Sequence, residues 1–107
     1  MFDTYPLGVY YERMNDIIHK RALHRSKIIE GQFRGLQKQI VDDVYCVDIL
    51  TQSLAIQRSI SSLNKLILEN HLRTCAHEQL ASNDDAVKER AIIELLSLYE
   101  LGTVRGK

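Results

Sequence analysis

Residues 45–75 read YCVDILTQSLAIQRSISSLNKLILENHLRTC, and the spacing of their apolar positions decides the fold. Ile56, Ile60, Leu63 and Ile67 recur at 4-3-4 intervals, with Leu50 and Leu54 extending the face upstream. That is the period at which a helix buries one stripe against its neighbours. The pattern predicts a helix from about Tyr45 to Leu80. At roughly 1.5 Å rise per residue it approaches ~50 Å, far longer than one small domain needs. Such a helix points to an oligomer whose protomers lie side by side.

Working upstream, Ile29, Phe33, Leu36 and Ile40 give a second 4-3-4 stripe. Gly31 and Gly35 interrupt that helix, each at about 1 kcal/mol relative to alanine. Four apart on one face, they would admit the close approach of another backbone. Asp42 and Asp43 offer a break and a cap for the long helix. Downstream, Ser82-Asn83-Asp84-Asp85 forms a turn with several N-cap residues. A third helix follows, with Ile92, Leu95, Leu96 and Tyr99 facing inward and Gly102 ending it. The only proline is Pro6, followed by Gly8. The expectation is an all-α chain of three helices. An arm covers residues 1–12, a helical domain 13–101 and a short tail 102–107.

The chain has 107 residues, 14 basic against 14 acidic, with 26% charged and 45% hydrophobic residues. That balance fits one small soluble globular domain, not a disordered chain. A chain this short buries a modest core, so long helices are expected to share one with other copies. Zero net charge by itself gives nucleic-acid binding no support. Its distribution does: Arg13, Lys20, Arg21, Arg25, Lys27, Arg34 and Lys38 crowd one stretch, against only Asp16 and Glu30 within it and Glu12 just before it. A local basic strip attracts phosphate even where distant acids cancel the total. No apolar run approaches the roughly 18 residues of a membrane span. Neither does the N-terminus read as a signal peptide. With two cysteines, the expectation is a reducing cytoplasm.

Those cysteines carry the chemistry. His71 and Cys75 are four apart in a helical pattern and project from one face. Cys46 lies 25 residues before His71 and joins them only through another helix or another copy. Thiolate sulfur prefers soft ions, and two sulfurs with one nitrogen suit trigonal copper(I). Zinc would ask for a fourth ligand, His77 or Glu78. A Cys75 thiolate paired with His71 or His77 is also a catalytic arrangement. No glycine-rich or oxyanion-type loop accompanies it, so an enzyme is not expected. His19, His24 and His77 read as surface residues.

The run His24-Arg25-Ser26-Lys27-Ile28-Ile29-Glu30-Gly31-Gln32-Phe33-Arg34-Gly35 resembles the RIEGQVRG-type signature of the copper-sensitive operon repressors. Tyr45-Cys46-Val47-Asp48-Ile49-Leu50-Thr51-Gln52 is similar to that family's YCxDxLTQ segment, and His71-Leu72-Arg73-Thr74-Cys75 to its HLxxC. The likeness spans about residues 20 to 80. It implies a disc-shaped homotetramer, a dimer of antiparallel dimers. It also implies a copper(I) site in which Cys46 of one protomer meets His71 and Cys75 of its partner. The metal-free tetramer would bind operator DNA, and copper(I) would release it.

The same resemblance marks Tyr45 and Glu89 as residues that support the ligands, with Glu94 behind Glu89. It places Arg25, Lys27 and Arg34 at DNA-contacting positions, and Lys38 extends that strip. Where some relatives carry a second-helix arginine this chain has Ser61, with Arg58 and Lys65 on either side to substitute. Rival sensors on the same scaffold match less well. The nickel and cobalt branch uses a further N-terminal histidine, where Met14 stands here. The persulfide branch lacks the middle histidine, which here is His71. The formaldehyde branch keeps a proline at the position of Phe2. A thiol switch linking Cys46 to Cys75, and a helical interaction module that binds no DNA, complete the alternatives.

Overall fold

A computed structural model of the chain describes residues 14–104, with side chains to residue 102. The arm expected over 1–12 and the end of the tail, 105–107, lie outside the described residues. Four helical segments follow one another: α1 Asp16–Val41, α2 Cys46–Arg73, α3 Cys75–Leu80 and α4 Asp85–Val104. No strand occurs among the described residues. The all-α expectation holds, with the long second helix interrupted once to give α2 and α3.

The described residues fall into two compact units, 14–70 and 71–104. In the first, α1 and α2 form an antiparallel hairpin. Asn15 Nδ2 donates to Asn70 Oδ1 at 3.4 Å, Arg25 Nη1 to the Ser62 carbonyl at 3.2 Å and Gln52 Nε2 to the Gln32 carbonyl at 3.2 Å. Each step forward along α1 is matched by a similar step back along α2. Ala22, Ile29 and Ile56 are buried. The hairpin therefore closes around the stripes read from the sequence, but only their inner edges are covered. Phe33, Ile40, Leu50, Leu54 and Ile67 stay exposed.

Local chemistry sets the ends of α1. Asn15 caps its start, its side chain accepting from the Ile18 amide at 2.9 Å. At the other end the Asp43 amide donates to Ile40 and the Val44 amide to Gln39, with Asp43 at φ 55°. This is the Schellman pattern, with aspartate at the left-handed position that glycine usually takes. The break at Asp42–Asp43 is where the sequence places it. The role differs: both residues finish α1, and the amides of Asp48 and Ile49 turn instead to the Tyr45 carbonyl as α2 begins.

In the second unit α3 packs against α4. Cys75, Ala76 and Gln79 are buried on one side and Val87 and Ala91 on the other. Of the N-cap residues in the turn, Asp84 is the one used: its Oδ1 accepts from the Ala86 amide at 2.9 Å. Two expectations fail here. Ile92, Leu96 and Tyr99 do not face inward but stand exposed, because the small Val87 and Ala91 make the α3 contact. And α4 does not stop at Gly102 but runs on to Val104. Among the described residues nothing lies within 4 Å of a β-carbon built on Gly102, and its backbone keeps the helical conformation.

Candidate metal centre and nucleic-acid face

His71 lies in the last turn of α2 and is half-buried, while Cys75 opens α3 and is only 5% exposed. Between them Thr74 leaves the helical region, at φ −115° and ψ −89°. The pair is therefore not presented by one uninterrupted helix, as the sequence spacing implies. His71 belongs to one segment and Cys75 to the next, and the Thr74 backbone sets their relation. Thr74 still serves α3, its carbonyl accepting from the Glu78 amide at 3.1 Å.

Cys46 is the first residue of α2 and is exposed, Cys75 is buried, and neither thiol is in a disulfide. Tyr45 precedes it and is also exposed. Glu89 is exposed on α4 and Glu94 half-buried. Among the described residues of one chain, no three or more His, Cys, Asp or Glu side chains are grouped to hold a metal ion. The donor set itself fits a soft cation: two thiols and an imidazole supply S₂N coordination. Gln79, one helical turn beyond Cys75, is 3% exposed, and its Oε1, like those of Gln32 and Gln39, has no hydrogen-bond partner among the described residues. Sequence reasoning passed over Gln79. The available signal was a polar residue four positions after a cysteine.

The six cations read as DNA contacts are not equally free. Arg25 donates to both the carbonyl and the hydroxyl of Ser62. It lines an open groove of the hairpin with Arg58, Ile28, Ile29, Ser59 and Ser62. Arg34 is paired with Glu30 at 3.5 Å and Lys38 with Asp42 at 2.8 Å. Exposed pairs of this kind contribute about 0.3–0.5 kcal/mol and are weakened by salt. Lys27, Arg58 and Lys65 are exposed. The hairpin therefore brings Arg25 and Arg58, 33 residues apart in sequence, to one groove.

Residues 18–100 match the family described as metal-sensitive transcriptional repressors. The chain belongs to that family. Within it, this repressor-family chain is 40% identical over 77 residues to the copper-sensing transcriptional repressor CsoR of Bacillus subtilis, which covers 72% of this chain and 73% of the relative. It is 37% identical over 78 residues to CsoR of Mycobacterium tuberculosis, covering 64% of this chain and 66% of the relative. The fold matches the crystal structure of the copper-sensing repressor CsoR with Cu(I) from Geobacillus thermodenitrificans. The TM-score there is 0.74 at 31% identity, over 87% of this chain and 93% of the other.

Proposed function

We propose that this chain is a cytoplasmic, copper(I)-responsive transcriptional repressor. Metal-free, it holds operator DNA as a homotetramer, a dimer of dimers, and copper(I) releases it. One observation carries the reading: Cys46, His71 and Cys75, a donor set of two thiols and an imidazole, stand in a repressor-family framework. A site completed between copies would unite the three donors. Cys46 of one copy and the His71 and Cys75 of another would hold copper(I), their two thiolates and one imidazole being donors that suit this soft ion. Tyr45 and Glu89 support the ligands from the positions described above.

Release follows from linkage. The conformation in which the copies bring Cys46 to the pair must differ from the one that grips DNA. Coupling of about 1–3 kcal/mol then exchanges one ligand for the other. Arg25, Lys27, Arg34, Lys38, Arg58 and Lys65 hold the DNA through its phosphates, which gives affinity with a steep salt dependence and little base readout. Specificity then rests on the shape and deformability of the duplex. No membrane partner enters the reading. Among the described residues no helix is long and apolar enough to cross a bilayer.

Anaerobic titration of the reduced protein with copper(I), read by X-ray absorption, tests the centre. The expected spectrum has two sulfurs and one nitrogen, and Cys46→Ala removes one sulfur. A gel shift on the promoter of its own operon tests the output. Retention of DNA by His71→Ala in the presence of copper(I) is expected. Release of that variant by persulfide or peroxide would instead establish a Cys46–Cys75 thiol switch.

A further inference from the structure

The groove between α1 and α2 holds two guanidinium groups and no carboxylate. Arg25, Ile28 and Ile29 line it from α1, and Arg58, Ser59 and Ser62 from α2, all within the compact unit 14–70. On the same hairpin Arg34 has Glu30 and Lys38 has Asp42. Neither arginine of the groove is in an ion pair of that kind among the described residues. Like charges facing one cleft repel, and an apolar wall such as Ile29, 8% exposed, sharpens the field they share. An anion between them relieves both.

The donors are already set for one. Arg25 Nη1 donates to the Ser62 carbonyl at 3.2 Å and to the Ser62 hydroxyl, which ties the guanidinium across to α2. A guanidinium carries more N–H groups than one serine can engage, so paired donors remain for two oxygens of a phosphate. Arg58 is exposed and stands one turn before Ser62 on α2, on the same side of the helix. The Ser62 hydroxyl accepts from Arg25 and keeps its own hydrogen to give. Ser59 does not: its hydroxyl donates to the Ala55 carbonyl at 3.2 Å.

We propose that this groove is a site for one phosphate group, clasped by Arg25 and Arg58 together, with Ser62 as the positioning residue that holds Arg25 for it. The inference deepens the DNA reading above and rests on it for the natural occupant, a backbone phosphodiester. Free inorganic phosphate offers the same oxygens and competes for the groove. Because one group is held by both guanidiniums, the two arginines act as a unit, and their losses are not additive.

The test titrates the metal-free full chain with inorganic phosphate, chloride holding the ionic strength constant, and follows the arginine Nε resonances by NMR. In the wild type the Arg25 and Arg58 signals should move together and saturate with one constant. Arg25→Gln and Arg58→Gln should each weaken that binding about 10-fold or more, and the double variant little further. Arg25→Lys keeps the charge but not the paired donors and should lose nearly as much. Ser62→Ala should weaken binding less than either, with the Arg58 signal still responding and the Arg25 signal displaced before phosphate is added. Thermal midpoints confirm that each variant is folded, and Arg58→Gln, changed at an exposed position, carries the test should Arg25→Gln not fold. Wild-type signals that do not saturate, or single losses that add in the double variant, overturn the proposal. An operator gel shift in the same buffers separates the two levels. Exchange of chloride for phosphate should weaken wild-type binding and leave the residual binding of the double variant unchanged. If phosphate saturates the groove but no operator binds, the DNA reading fails and the phosphate site stands. If operator binds and phosphate neither moves the signals nor competes, the DNA reading stands and the clasp is refuted.

Discussion

Asp43 holds the left-handed turn that ends α1, at φ 55°, and it is exposed. A non-glycine residue pays for that conformation, although aspartate tolerates it better than most. Asp43→Gly is therefore expected to stabilise the hairpin by up to about 1 kcal/mol, read as a higher denaturation midpoint with an unchanged m-value. Asp84 acts in the opposite sense. Its carboxylate caps α4 through the Ala86 amide, and Asp84→Ala should cost about 1 kcal/mol in the same measurement. Residue-level chemistry was partly open to the sequence. Cys46, His71 and Cys75 are legible because so few soft donors exist in the chain. The burial of Gln79 was not, because a glutamine on a short helix usually faces water.

The helical hairpin was legible in the 4-3-4 stripes, because a helix that must cover Ile29 and Ile56 leaves that period in the sequence. Its interruption at Thr74 was not. No glycine or proline marks it, and the Arg73-Thr74-Cys75 stretch reads as helix by every local signal. The same limit applies to Gly31 and Gly35. Within one chain a β-carbon at Gly35 would meet Gln52 Nε2 at 3.8 Å, and one at Gly31 would meet Arg34 Nη2 at 3.8 Å. Both are ordinary contacts, so among the described residues no other backbone presses on either glycine. Gly31→Ala should then raise the unfolding midpoint by the equivalent of about 0.8–1 kcal/mol. A lowered midpoint with loss of assembly in sedimentation would show that Gly31 faces another copy.

For the molecule as a whole, apolar surface points the same way as the split donor set. Leu50, Leu54, Ile93, Leu96, Leu98, Tyr99 and Leu101 are all more than half exposed. α4 in particular is apolar on most sides, as helices are when assembly covers them. Proposed assembly into a tetramer gives those faces a partner. Charge behaves similarly at this scale: a net charge of zero conceals a face where Glu30 and Asp42 already engage Arg34 and Lys38. Lys27→Ala, unpaired among the ion pairs described, should weaken operator binding and lower the slope of log K against log salt by about 1. Arg34→Ala, released from Glu30, should lower it by less. Equal slopes for both would mean that the ion pairs open on DNA.

Mixing copies tests the central claim most directly. Cys46→Ala protein and Cys75→Ala protein each lack one sulfur, and alone neither should bind copper(I) tightly. Co-expressed, one copy still offers a thiol at position 46 and the other an intact 71/75 pair. The mixed assembly should then regain a site with two sulfurs and one nitrogen. Failure of the mixture to bind, with the wild type binding under the same conditions, would mean that each chain builds its site alone.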